Sequence, residues 1–188
     1  MKFPDNYSIL KISQYELGDI KIVPIRYEDR MLIMRWRNEQ IYHLRQQKIL
    51  TEKEQNYYFN TVISKLFDSN EPNQLLFSFL LNDVCVGYGG LVHINWKDKN
   101  AEISFIIDPK LEKHYFHKYW TMYLSLIEQV AFIDLKFKKI YTYAFDLRPH
   151  LYRALESAGF EKEAELKEHF LYNQTFRSVV IHSKWSDL

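Results

Sequence analysis

The chain is poor in cysteine, glycine and proline, with one, five and five of them in 188 residues. A single cysteine, Cys85, excludes a disulfide framework and fits a reducing compartment. Lying inside an apolar run, it reads as a small core residue rather than a nucleophile. Charge of one sign is also lacking. Lys and Arg number 25 against 24 Asp and Glu, for a formal net charge of +1. No global field therefore draws the chain to nucleic acid or to a membrane. No apolar run approaches the length of a membrane span, and "MKFPDNYSILKISQYELG" has no continuous apolar stretch of the kind a secretory leader needs. A cytoplasmic location is the expectation. There is no H-E-x-x-H motif and no cysteine pair. His114 and His117 share i,i+3 spacing, but the remaining histidines are distant in sequence, so no metal site is expected. Linkers, repeats and low-complexity tracts are absent too, which leaves one domain over residues 1–188.

What is present is apolar and aromatic. Hydrophobic residues make up 47% of the chain and aromatic ones 16%, enough to fill a single core at this length. "YSILKISQYELGDIKIVPIR" reads as two strands joined at Leu17-Gly18-Asp19, the first forming an N-terminal extension over residues 1–18. "EDRMLIMRWRNEQIYHLRQ" reads as a helix in two short pieces. In "LTEKEQNYYFNTVISKLF", Thr51 and Glu54 have capping-box spacing, and Tyr57, Tyr58, Val62, Leu66 and Phe67 recur at helical spacing. Three strands follow, "QLLFSFLL", "VCVGYGGLVHI" and "AEISFIID", with turns at Asn82-Asp83 and "NWKDKN". A long helix after Pro109 has an apolar series through Tyr115, Tyr119, Met122, Leu126, Val130 and Ile133. "KKIYTYAFD" is a strand. "RPHLYRALESAGF" is a helix with Pro149 near its start and Gly159 at its C-terminal cap. A hairpin around Asn173-Gln174 ends the chain. This order predicts an α+β domain with a mixed, mostly antiparallel sheet of about seven strands plus the extra N-terminal one. Strands 101–107 and 139–145 should run parallel across the long helix.

Three stretches, in this order and spacing, resemble the GCN5-related N-acetyltransferase (GNAT) superfamily over about residues 19–185. They are "RWRNEQIYHLRQQKILTEKEQNYYF", "GYGGLVHINWKDKNAEISFIID" and "RALESAGFEKEAELKEHFLYNQTFRSVVIHS". The nearest branch is that of ribosomal-protein N-terminal and nucleotide-amino-sugar N-acetyltransferases. The resemblance implies acetyl-CoA as co-substrate, no metal, and a primary amine as acceptor. The amine of a nucleotide-linked amino sugar is the first expectation, a protein N-terminus the second. In that superfamily the loop after the fourth strand reads (R/Q)-x-x-G-x-(G/A), and the helix it opens holds the coenzyme A pyrophosphate. Here the window is Glu112 to His117, and Tyr115 and His117 occupy the two glycine positions. Backbone N–H groups and the dipole of a helix N-terminus bind phosphate whatever the side chains are. Lys113, His114, His117 and Lys118 add cationic contacts, so Lys113, His114, Tyr115, His117 and Lys118 are expected at the cofactor. Ile106 and Ile107 at the strand end and Arg148, where the family often has Asn, complete that expected set. A third reading keeps the fold but loses coenzyme A at the glycine-free loop, leaving a non-catalytic binding protein.

For the chemistry, alternation in "AEISFIID" places Glu102 and Ser104 opposite Ala101, Ile103 and Phe105. Glu102 is the candidate general base, and the branch often has Glu here; the bland alternative is a surface carboxylate. His93 in "LVHIN" is placed toward the same cleft, or within the sheet as a plain hydrogen-bonding residue. The family's usual proton-donating tyrosine is Leu155 here, so Tyr152, one turn earlier, is the substitute candidate against a packing role. Arg37 and Asn38 end the first helix, which lines the acceptor cleft in this superfamily. Arg37 suits a phosphate or carboxylate of the acceptor, with an ion pair to Glu39 as the alternative. His169 is expected to border the acceptor site. The aromatic content is compatible with a homodimer.

Overall fold

The computed structural model describes residues 3–187. The strands are β1 (Tyr15–Leu17), β2 (Ile20–Pro24), β3 (Leu75–Leu81), β4 (Val84–Asn95), β5 (Asn100–Ile107), β6 (Lys139–Phe145), β7 (Glu161–Tyr172) and β8 (Thr175–Trp185). The helices are α1 (Arg30–Glu39), α2 (Glu52–Tyr58), α3 (Ser64–Leu66), α4 (Pro109–Glu128) and α5 (His150–Ser157). The strands form one sheet in the order β1-β2-β3-β4-β5-β6-β8-β7. It is the expected sheet, seven strands with the short β1 added at the edge. Every neighbouring pair is antiparallel except β5 and β6, as the crossover through α4 requires.

Local chemistry accounts for the turns. Asn82 and Asp83 have φ of 46° and 66°, and Asn173 and Gln174 have 47° and 61°. Both central residues are left-handed, which suits the right-handed twist of a hairpin. Thr51 and Glu54 form the complete reciprocal cap of α2. Gly159 (φ 81°) ends α5.

Two helical faces differ from the simple period. The five residues Phe59–Ile63 after α2 form a π-turn, and so do Gln129–Asp134 after α4. A π-turn shifts the phase of the helix beyond it, so Phe59, Ile63, Leu66 and Phe67 face the core while Tyr57, Tyr58 and Val62 are exposed. In α4, Tyr115 departs from helical geometry (φ −127°, ψ 15°). The buried series is Phe116, Tyr119, Trp120, Tyr123, Ile127 and Val130, with Tyr115 and Ile133 outside.

The helices lie on both faces of the sheet. Phe105 of β5 stacks on Tyr123 of α4, ring centroids 3.8 Å apart. On the other face Tyr88 of β4 meets Arg37 of α1. Strands β4 and β5 approach so closely that a Cβ on Gly89 would sit 2.1 Å from the Ser104 carbonyl oxygen and 2.7 Å from the Tyr123 hydroxyl. Only glycine fits there.

The irregularity that makes the site lies between β5 and β6. They pair only at Asn100↔Lys139, Ala101↔Ile140 and Glu102↔Tyr141. Beyond Glu102 the two strands diverge, and β5 runs on to Ile107 bonded to β4 alone.

Candidate active site

The vertex of that divergence is Glu102. It is buried, at 6% exposure. Its carboxylate takes a short hydrogen bond and ion pair from Arg45, in the loop between α1 and α2. Burial raises the Glu102 pKa above the usual carboxylate range, and Arg45 opposes the rise. His93 stands at an irregular step of β4 with φ 49°. Its Nε2 lies 3.9 Å from Glu102 Oε2 and 3.4 Å from Arg45. Burial and Arg45 both lower its pKa, which favours the neutral ring. A buried carboxylate beside a solvent-facing neutral imidazole can take a proton and pass it outward. The structure thus brings together Glu102 and His93, and adds Arg45 beside both.

A passage of about 200 Å³ runs through the divergence. Its walls include Glu102, Ser104 and Phe105 of β5, Tyr143 of β6, Arg45 and Arg148. The carbonyls of Ser104 and Ile106 lie against Gly89 and Gly87 of β4. By alternation the backbone groups of Ile103, Phe105 and Ile107 point into the gap. Gln40 Nε2 already donates to the Ile107 carbonyl at 2.9 Å. Of the two strand-end residues expected at the cofactor, Ile107 faces the gap and Ile106 does not. Arg45 spans the gap, bonded to Glu102 on one wall and 4.7 Å over the Tyr143 ring on the other.

On the α1–α2 face lies a separate cavity of about 360 Å³. Its floor is Ile25, Ile33, Leu76 and Val92, and Glu54, Tyr58, Gln74, Tyr88 and Arg37 bring polar groups. Arg37 does not pair with Glu39. Its Nε donates to Gln46 Oε1 at 2.9 Å and its Nη1 to the Tyr88 hydroxyl at 2.6 Å. Asn38, expected at the substrate, is committed elsewhere. Its amide bonds both the N–H and the C=O of Leu50 and also accepts from Gln46, which pins the loop that carries Arg45.

At the other end of the passage, α4 and α5 enclose an open groove of about 840 Å³. Lys113, His117, His150 and Arg153 line it with Glu112 and Glu156. Residues 109–114 form a helical turn rather than a glycine loop, capped by the Asp108 side chain on the Lys110 N–H. The break at Tyr115 then restarts the helix. Tyr115 keeps a negative φ and an exposed side chain, so its position does not demand glycine. His117 Nε2 lies 3.2 Å from Ser157 Oγ. His114 and Lys118 are exposed outside the lining. Arg148 is buried and paired with Glu112 at 3.0 Å, which ties the 109–114 turn to the loop after β6. Arg153 and His150 were not among the residues expected at the cofactor, although both follow Arg148 within five residues.

Two expected residues stand apart. Tyr152 donates to Asp146 Oδ1 at 2.7 Å and stacks on His182, outside the passage. Burial and Asp146 both raise its pKa, so it is a poor proton donor. His169 reaches the region only through Tyr143, ring centroids 6.0 Å apart. Among the described residues no group of three or more His, Cys, Asp or Glu could hold a metal ion, and no helix is long and apolar enough to cross a membrane.

These features fit acetyl-CoA. The free edge of β5 can receive an amide-bearing arm, and the groove between α4 and α5 offers cations to phosphates. A family model described as an acetyltransferase (GNAT) domain matches residues 22–180. No curated protein matches the chain in sequence. In structure it is similar to spermidine N-acetyltransferase from Vibrio cholerae solved with CoA and spermine. The TM-score is 0.76 at 19% identity, covering 90% of this chain and 97% of that one. A dodecameric structure of spermidine N-acetyltransferase from Vibrio cholerae gives 0.70 at 18% identity, over 90% and 95%. The family model spans most of the chain, and the chain belongs to the GNAT acetyltransferases, which use acetyl-CoA as acyl donor.

Proposed function

We propose that the acceptor is the primary amine of a small molecule that is not a polyamine, and that a nucleotide-linked amino sugar suits the site best. The observation that carries this reading is the charge around the two cavities. Three arginines, Arg37, Arg45 and Arg148, line the passage with the single carboxylate Glu102. In the acceptor cavity the one carboxylate, Glu54, is already taken up by Lys48 at 2.6 Å and by its Thr51 cap. A polyamine needs several free carboxylates, and this lining opposes it. Sugar hydroxyls find hydrogen-bonding groups in Tyr58 and Gln74, and phosphates find arginine.

In the reaction, acetyl-CoA supplies the activated acetyl group. Glu102 takes a proton from the acceptor ammonium, directly or through a water, and His93 relays it to solvent. The inward N–H groups of β5 face the carbonyl oxygen as it gains charge. No side chain in the passage forms an activated nucleophile, so transfer is direct.

The test is calorimetric titration with acetyl-CoA, followed by thiol release with nucleotide-linked amino sugars, short peptides and spermidine. Micromolar binding and turnover on the sugars alone is the expected result. Turnover on spermidine or peptides alone overturns the sugar acceptor. No binding at millimolar acetyl-CoA supports the non-catalytic reading, in which the 109–114 turn no longer admits the ligand.

A further inference from the structure

Among the described residues Glu102 and Arg45 form the one ion pair with both members lining the passage. The two are unequal. The Glu102 side chain is 8% exposed and the Arg45 side chain 45%. Only Nη2 of Arg45 is engaged, by Glu102 and His93. Its Nε and Nη1 have no hydrogen-bond partner among the described residues. The backbone beside it is fixed, because the next residue, Gln46, is bonded to both Arg37 and Asn38. The Arg45 side chain can therefore turn while its loop stays in place.

The pair covers the base. Glu102 borders the acceptor cavity through Val92, its cross-strand partner, and through Ser104, which lines both cavity and passage. An ammonium arriving by that route meets a carboxylate that Arg45 already neutralises, with a like charge beside it. If the ammonium takes the carboxylate, Arg45 loses its only anionic partner among the described residues. If Arg45 stays, two cations share one carboxylate. An anion on the acceptor removes the conflict. Arg45 then pairs with the anion as the ammonium pairs with Glu102, and the buried carboxylate is never left alone.

We propose that Arg45 selects for a phosphate-bearing acceptor: the acceptor's phosphate draws the guanidinium off Glu102 and so uncovers the base for the amine. This rests on the nucleotide-sugar reading above and assigns its discrimination to one residue. The planar fork of Arg45 takes two phosphate oxygens. Glu102 takes one proton from the ammonium. With Arg45 gone, burial acts on the carboxylate unopposed and makes it a stronger base. Acceptors that carry only positive charge lack the group that moves Arg45.

The other two arginines of the passage cover no base. Arg148 is buried and paired with Glu112, which lies outside the passage lining. Arg37 holds Gln46 and the Tyr88 hydroxyl, both neutral.

The test uses two acceptors with the same amine: the nucleotide-linked amino sugar turned over in the screen above, and that sugar after mild acid has removed its nucleotide. kcat/KM is read for both with saturating acetyl-CoA at a pH of about 8, above the ordinary carboxylate range. Wild type is expected to prefer the linked sugar about a hundred-fold or more. Arg45→Met should cut that preference about ten-fold or more, the loss of a charge-assisted contact. It should also raise the rate on the free sugar, whose amine no longer competes with Arg45 for Glu102. A purely structural role would lower both rates together, and that result overturns the proposal. So does a preference lost in Arg37→Met and kept in Arg45→Met. Binding of acetyl-CoA without turnover of any nucleotide-linked amino sugar overturns the acceptor reading, and this proposal with it. No binding of acetyl-CoA at millimolar ligand overturns the enzyme reading itself.

Discussion

The two ends of the cleft are built on different principles. At the vertex, Glu102, Ser104, Tyr88 and Tyr143 stand on strands whose register is set by the whole sheet, with Arg45 and Arg37 packed onto them. At the groove between α4 and α5, the lining groups are mostly exposed side chains on and beside a helical turn. The first end relies on particular side chains with buried partners, so each change there should be costly. As the proposed phosphate site, the second would rely on helix-end backbone and several interchangeable cations, neither of which requires glycine.

Glu102→Gln should have the largest effect. The amide still accepts from Arg45, so the fold stays intact, but kcat/KM should drop about a hundred-fold or more through loss of the base. An unchanged rate and pH profile would remove Glu102 from the mechanism and blur the contrast between the ends. The counterpart at the groove is the pair Lys113→Ala and Arg153→Ala. Together they should weaken acetyl-CoA about ten-fold, with neither single change doing so alone, as shared phosphate contacts imply. A single change that abolished binding would show that the groove is as particular as the vertex.

Arg45→Met sharpens the vertex. In the proposed mechanism Glu102 works as the carboxylate, so the rate should rise with pH through its pKa. Burial already raises that pKa and Arg45 holds it down. Removing Arg45 should move the acid limb to higher pH and lower the rate several-fold near pH 6, read from the kcat/KM profile. A limb that stayed in place would mean that Arg45 does not govern the ionisation. The smallest effect is expected from Tyr115→Gly, which restores the family's glycine. The native φ is negative and the side chain exposed. Coenzyme A affinity should therefore hold, with a stability loss of about 1 kcal/mol or less in thermal unfolding. A marked gain in affinity would show that the ring obstructs the ligand.

Much of the scaffold is legible because its signals are local. The Thr51–Glu54 cap, the Asn-Asp and Asn-Gln turns and the Gly159 helix end each lie within a few residues of their partners. Alternation in 101–107 also identifies the face that Glu102 takes. Helical periodicity misplaced Tyr57, Tyr58, Tyr115 and Ile133 because two π-turns and one break shift the phase, and nothing local in the sequence announces them. The site itself was decided by tertiary structure. The pairing of β5 with β6 stops after three residues, which opens the passage. Arg45 reaches Glu102 across 57 positions, and Arg37 reaches Tyr88 across 51. Side-chain periodicity reports only which face a residue takes. The partner it meets on that face depends on sheet register and loop packing, which link segments far apart in the chain.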